Sequence, residues 1–166
     1  MAGRIAQSVM VIAAALMLSA CAGGISRQAR SQVTYTGSFE SVLENPRGFQ
    51  GETVMWGGRI VEIQNQDAST EIVVLQLELD SRNRFSDGDS SRGRFLIRSD
   101  RFLDPAIYPA GTFIIVVGRL QGGETRQIGE MPYTYPVIDI VEIQKVDPNR
   151  SSSPRIHIGI GVGAQF

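Results

Sequence analysis

The side chains able to do chemistry are few. Cys21 is the only cysteine and His157 the only histidine. A lone histidine supports neither a Ser-His-Asp set nor a zinc site, and no glycine-rich phosphate loop precedes a helix. Asp87, Asp89, Asp100 and Asp104 are potential acids or calcium ligands. Asp87-Gly88-Asp89-Ser90 comes nearest to a calcium loop, but the remaining ligands are missing at the required spacing, so it reads as a solvated polar loop. Arg92, Arg94, Arg98 and Arg101 form the one local charge cluster. On a strand, Arg92, Arg94 and Arg98 share a face, a candidate surface for phosphates or carboxylates. The plainer reading is a charged strand face that blunts edge pairing. No catalytic residue, metal site or cofactor is expected, so the chain reads as non-enzymatic.

The thiol is the exception. Cys21 closes Leu18-Ser19-Ala20-Cys21 after a run that starts with Arg4 and continues apolar from Val9 to Leu18. Ser19 and Ala20 are the small residues a signal peptidase needs, and the run is too short for a transmembrane helix. A cysteine directly after them looks like a bacterial lipoprotein leader, in which the thiol takes a diacylglycerol, cleavage falls between Ala20 and Cys21, and the new amine is acylated. An ordinary secretory leader with a chance cysteine is the alternative. One acyl chain holds marginally and two hold stably. Ala22 stands where aspartate would favour the inner membrane, so the expected location is the outer membrane of a Gram-negative cell, with its lipid as the first partner.

Without residues 1–20 about 146 residues remain, enough for one domain. Their net charge is about −2 once Arg4 is removed, which gives no general argument for nucleic acid. Residues 21–36 read as the lipidated cysteine and a flexible tether. Ser38 to Pro46 reads as one short helix with Ser38 as N-cap. The rest of 37–148 reads as five strands. The first, Glu52 to Gln66, places Val54, Trp56, Gly58 and Ile60 on one parity, then switches near Val61 as a bulge or bend would. The second, Thr70 to Asp80, is expected to turn Val73, Leu75, Leu77 and Leu79 inward. The third, Arg92 to Ser99, sets Phe95 and Ile97 against Arg94, Leu96 and Arg98. The fourth, Thr112 to Leu120, is apolar on both parities and so central. The fifth, Thr134 to Val146, switches parity between Ile140 and Val141, after a rigid loop at Met131-Pro132-Tyr133. Trp56 is expected in the core. The fold class is mainly β: a small five-stranded OB-like Greek-key barrel with a short N-terminal helix, an ordinary antiparallel sandwich being the alternative.

Residues 149–155 read as a hinge. Beyond it, Ile156, Ile158, Ile160, Val162, Ala164 and Phe166 alternate with small or polar residues, making a C-terminal β-strand tail. Its length suits a tilted membrane strand, but one strand cannot span lipid alone. It would need copies of the chain to share a closed ring. An extra strand on the domain's own sheet, or a tail pairing with an envelope protein, is the simpler reading.

Several separated blocks point to a family. They are Gly51 with Trp56-Gly57-Gly58-Arg59-Ile60, Gly93-Arg94-Phe95-Leu96, and Phe102-Leu103-Asp104-Pro105 with Tyr108. Val117-Gly118, Gly122, Met131-Pro132-Tyr133 and Tyr135-Pro136 follow. Taken in order and with the leader, the chain resembles the Slp family of outer-membrane lipoproteins, of the starvation- or stationary-phase-inducible type. The resemblance runs from about Phe39 to Val146. It implies an envelope lipoprotein and supplies no catalytic residues. The tail at 151–166 departs from the aromatic-rich extension of the enterobacterial members. The combined expectation is a non-enzymatic outer-membrane lipoprotein serving as an envelope structural or interaction module. Its alternatives are an oligomeric assembly built through the tail and a binder of anionic envelope components through Arg92, Arg94 and Arg98.

Overall fold

The computed structural model describes residues 24–67, 69–86 and 91–148. The expectations for Ala20 and Cys21, for the Asp87–Asp89 loop, for His157 and for the tail strand from Ile156 to Phe166 lie outside the described residues. Two helices, α1 (Arg27–Ser31) and α2 (Phe39–Glu44), and a 3-10 turn (Pro46–Phe49) precede five strands. These are β1 (Thr53–Gln66), β2 (Ser69–Leu77), β3 (Ser91–Ser99), β4 (Phe113–Ile128) and β5 (Met131–Val146). They close in the order β1-β2-β3-β5-β4. All neighbours are antiparallel except β3 and β5, which run parallel through Leu96–Val137, Ile97–Ile138 and Arg98–Asp139. This is the closed five-stranded Greek-key barrel expected from the sequence.

Val54, Trp56, Ile60, Ile72, Val74, Phe95, Ile97, Ile114, Val116, Leu120 and Ile138 fill the barrel. At one end α2 inserts Phe39 and Val42. Ser38 caps the helix by accepting from the Ser41 N–H, and Glu40 lies in its positive first turn. Trp56 meets Phe39 and Phe95 edge-on at 4.9 and 5.1 Å, a core aromatic as expected. At the other end the β3–β4 connection contributes Leu103 and Tyr108.

Both parity switches are bulges. Val61 is the extra residue where β1 pairs with β2, between Ile60–Val74 and Glu62–Val73. Val141 is the extra residue on β5, between Val117–Glu142 and Gly118–Ile140. Four expectations are corrected. On β2 the inward set is Ile72 and Val74, not Val73, Leu75, Leu77 and Leu79, and Leu79 lies past the strand's end, packed on the outer Ile115 and Val117 cluster. Both parities are apolar on β2, and Val73 is covered from outside. Strand β4 continues past Leu120 to Ile128, and Met131 to Tyr133 is strand rather than rigid loop, so β4 and β5 make one long hairpin. Pro132 and Pro136 fit because β5 pairs with β3 only from Val137 onward, leaving an edge on which a missing N–H costs no ladder bond. Finally, residues 24–36 are docked on the barrel rather than loose. Ile25 and Ala29 are buried with Ile115 and Val117, and Val33 packs beside them.

Gly58 is required by close approach. A β-carbon there would strike Val74 Cγ1 and stand 2.6 Å from the Leu75 carbonyl oxygen. Replacing Gly58 with Val is expected to lower stability by ~1–3 kcal/mol, read as a fall in the urea midpoint. An unchanged midpoint would mean that the β1–β2 contact yields without strain.

Candidate functional site

The arginine cluster does not form one cationic face. Between Leu75–Arg94 and Leu77–Ser91 the β2–β3 register shifts, with Gly93 at φ +145°. That bulge separates Arg92 from the parity shared by Arg94 and Arg98. Arg92 instead leans toward α2, its Nη1 2.9 Å from Glu40 Oε1 and its Nη2 3.8 Å from Glu78. Arg94 is half-buried, and its backbone N–H donates to the Tyr133 hydroxyl at 2.7 Å. That hydroxyl in turn donates to the Arg94 carbonyl at 3.3 Å. Burial holds the Tyr133 phenol above its ordinary range.

Arg98 belongs to a different constellation. The hairpin beyond Gly122 folds across the outer face of β2 and β3, packing Tyr135, Tyr133 and Ile128 on Leu96 and Val73. It brings Arg126 and Glu124 to Glu71 and Arg98. Arg126 donates to both Glu71 oxygens, the Nη2 bond being 2.7 Å, and through Nε to Glu124 at 2.6 Å. Arg98 donates to Glu71 at 3.4 Å and to Glu124. Two cations thus face two carboxylates, and Glu71 is buried at 8% exposure. The guanidinium of Arg126, and then that of Arg98, hold the Glu124 carboxyl below its usual range, while Glu71 raises the Arg126 pKa. This cluster is neutral and internally satisfied, a clamp for the hairpin and a poor surface for an anion. A double-mutant cycle with Glu71→Gln and Arg126→Met should give a coupling of about 1–3 kcal/mol, between exposed and buried pairs. Denaturant titration of the four proteins measures it, and additivity would show that packing alone holds the hairpin.

The other expected residues are dispersed. Asp104 opens a turn, its Oδ1 accepting from the Ala106 N–H at 2.8 Å and its carbonyl from Ile107 and Tyr108. Asp100 is exposed beside Arg101 at 3.9 Å. Among the described residues no group of three His, Cys, Asp or Glu side chains is arranged to hold a metal.

The structure adds a site that the sequence reading passed over, the seat of the N-terminal segment. Ser26 caps α1 and binds Glu142 twice, from its N–H at 2.7 Å and from its hydroxyl at 2.6 Å. Thr34 and Tyr35 donate their N–H groups to the Thr53 carbonyl, and Thr34 Oγ1 accepts from the Thr53 N–H. The signal was present: Ile25, Ala29 and Val33 recur every four residues, one helical stripe hidden among Ser, Arg and Gln. The Ser26 hydroxyl, and then its N–H, hold the Glu142 carboxyl below its usual range. The depressed value means that the ionised carboxylate favours the docked state. Its contribution is complete above the ordinary carboxylate range and fades as pH falls through the lowered value. Protection of the Ala29 amide against hydrogen exchange is expected to fall with acid through that window. Glu142→Gln should show weaker protection at neutral pH and no such acid step.

The class these features define is a small closed β-barrel domain with a clamped hairpin. Comparison places it further. The profile of the outer membrane lipoprotein Slp family matches residues 18–157. The chain therefore belongs to that family and is an outer-membrane lipoprotein. Its similar relatives include the uncharacterized lipoprotein YeaY of Escherichia coli (strain K12), 32% identical over 126 residues. That match covers 76% of this chain and 65% of the relative. The outer membrane protein Slp of the same organism is 25% identical over 139 residues, covering 83% of this chain and 73% of that protein. Among solved structures, the small single-stranded DNA-binding protein of Streptomyces coelicolor is 18% identical with a TM-score of 0.40. The likeness covers 58% of this chain and 94% of that one, and bears on neither ligand nor partner here.

Proposed function

We propose that this lipoprotein is a non-enzymatic envelope module, a rigid barrel carried on acyl chains at Cys21. The docked N-terminal segment carries the reading. Ile25 is already buried on the barrel four residues after Cys21. Four residues span at most about 14 Å. An anchor at Cys21 would therefore hold the domain at the membrane surface instead of leaving it on a long leash. The ionic groups support the same reading, because the prominent cluster of Glu71, Arg98, Glu124 and Arg126 holds the hairpin to the barrel. The tail from Ile156 onward would then be an added strand for this sheet or for a partner.

Cys21→Ser is expected to stop lipid attachment and processing. The variant should appear in the soluble envelope fraction or as uncleaved precursor, and palmitate labelling should be lost. A variant that is still cleaved between residues 20 and 21 and still sediments with outer membrane would refute the anchor.

A further inference from the structure

The orientation of the barrel on its membrane can be read from the N-terminal segment. Ser26 sits at Glu142, while Thr34 and Tyr35 sit at Thr53. Thr53 pairs with Arg119, and Arg119 with Asp139. The segment therefore climbs from the level of Glu142 to that of Asp139, against the direction of β5. Ile25 is buried with Ile115, which pairs with Gln144, so the described segment begins toward the end where β5 finishes and β4 begins.

That end is occupied by the β3–β4 connection. The Gly111 N–H donates to the Ile60 carbonyl and the Ile60 N–H to the Thr112 carbonyl. The Leu103 N–H donates to Thr70 Oγ1 at 3.0 Å, and the Asn65 side-chain amide to the Leu103 carbonyl at 3.2 Å. Leu103 and Tyr108 are packed on the core, the Asp104 turn fixes the stretch between them, and Lys145 Nζ lies 5.8 Å from the centre of the Tyr108 ring. Held this firmly, the connection still leaves Phe102 71% and Ile107 50% exposed. Large apolar side chains on a well-fixed loop, outside the core and at the end where the described N-terminal segment begins, are placed for an apolar surface.

We infer that Phe102 and Ile107 are a second, non-covalent contact with lipid, and that the β3–β4 end of the barrel lies against the leaflet that holds Cys21. This rests on the anchor proposed above. Two side chains alone bind a bilayer feebly. Tethering converts their insertion into an intramolecular step at high effective concentration, so a weak wedge suffices. The charges nearby are mixed, Asp100 and Asp104 with Arg101 and Lys145, so apolar burial and not attraction to anionic lipid drives the contact. It should therefore persist in high salt.

The test uses full-length lipidated protein in vesicles of phosphatidylethanolamine and phosphatidylglycerol. A polarity-sensitive dye is attached to Phe102→Cys or Ile107→Cys. Glu44→Cys, exposed on α2 at the opposite end, is the reference, and Cys21 has its sulfur occupied by lipid. Emission at 102 and 107 should shift to the blue. Quenching by iodide there should be several-fold weaker than at 44, in low and high salt alike. Equal quenching at all three positions overturns the inference. So does protection that disappears as the protein is diluted in lipid, which would mark a contact between copies. The mass of the N-terminal peptide from the same preparation reports the acyl chains on Cys21, so failure of the anchor is read separately from failure of the wedge.

Discussion

A five-stranded barrel has room inside for one layer of side chains, and this chain has more apolar surface than that layer can hold. Strands β2 and β4 are apolar on both parities: Ile114 and Val116 point in while Ile115 and Val117 point out, and Ile72 and Val74 point in while Val73 points out. The outward residues must be covered, and the rest of the architecture answers that demand. Helix α1 covers β4 from the N-terminal side of the chain. The β4–β5 hairpin doubles back to cover β2 and β3. The two covers lie on different sides of the barrel and come from opposite ends of the sequence.

Each cover is fixed by polar groups at its margin. Ser26 and Glu142 fix the helix, and the Glu71–Arg126–Glu124–Arg98 cluster with Tyr133 fixes the hairpin. Burying Glu71 would be costly alone, but all its bonds come from guanidinium groups, and among the described residues no buried side-chain polar atom lacks a partner. Gly93 completes the fit: a β-carbon there would stand 2.5 Å from the Tyr133 hydroxyl. The bulge that takes Arg92 away from the other arginines also opens the space in which the hairpin is bolted down.

What the sequence made legible follows from periodicity and its limits. Inward parity was plain on β1 and β3, where polar or glycine residues mark the outer face around Arg59 and Arg98. Both bulges announced themselves as parity switches. On β2 both faces are apolar, so alternation could not tell which set pointed inward. The same ambiguity hid the hairpin: Pro132 and Pro136 look like loop residues unless the free edge of β5 is known. Segment 24–36 was misjudged because its composition is that of a linker, and three apolar residues at a spacing of four are a faint stripe. The arginines were the clearest misdirection. Their spacing is real, but Arg92 answers Glu40 and Arg98 answers Glu71 and Glu124, carboxylates brought in from other strands and from α2.

The seam between β3 and β5 has a consequence in time. Three residue pairs close it, in parallel, across about forty residues of intervening chain, whereas the β4–β5 hairpin pairs through contacts that are close in sequence. Local ladders form early and distant parallel ones late. The β1-β2-β3 sheet and the β4–β5 hairpin are each built from neighbours in sequence and should form first, and the ring is closed late by the two distant seams, β1–β4 and β3–β5. Until then the β4–β5 hairpin is a free arm, and its clasp on Glu71 can form only once the ring is closed, so circular closure and the locking of the arm are a single late event.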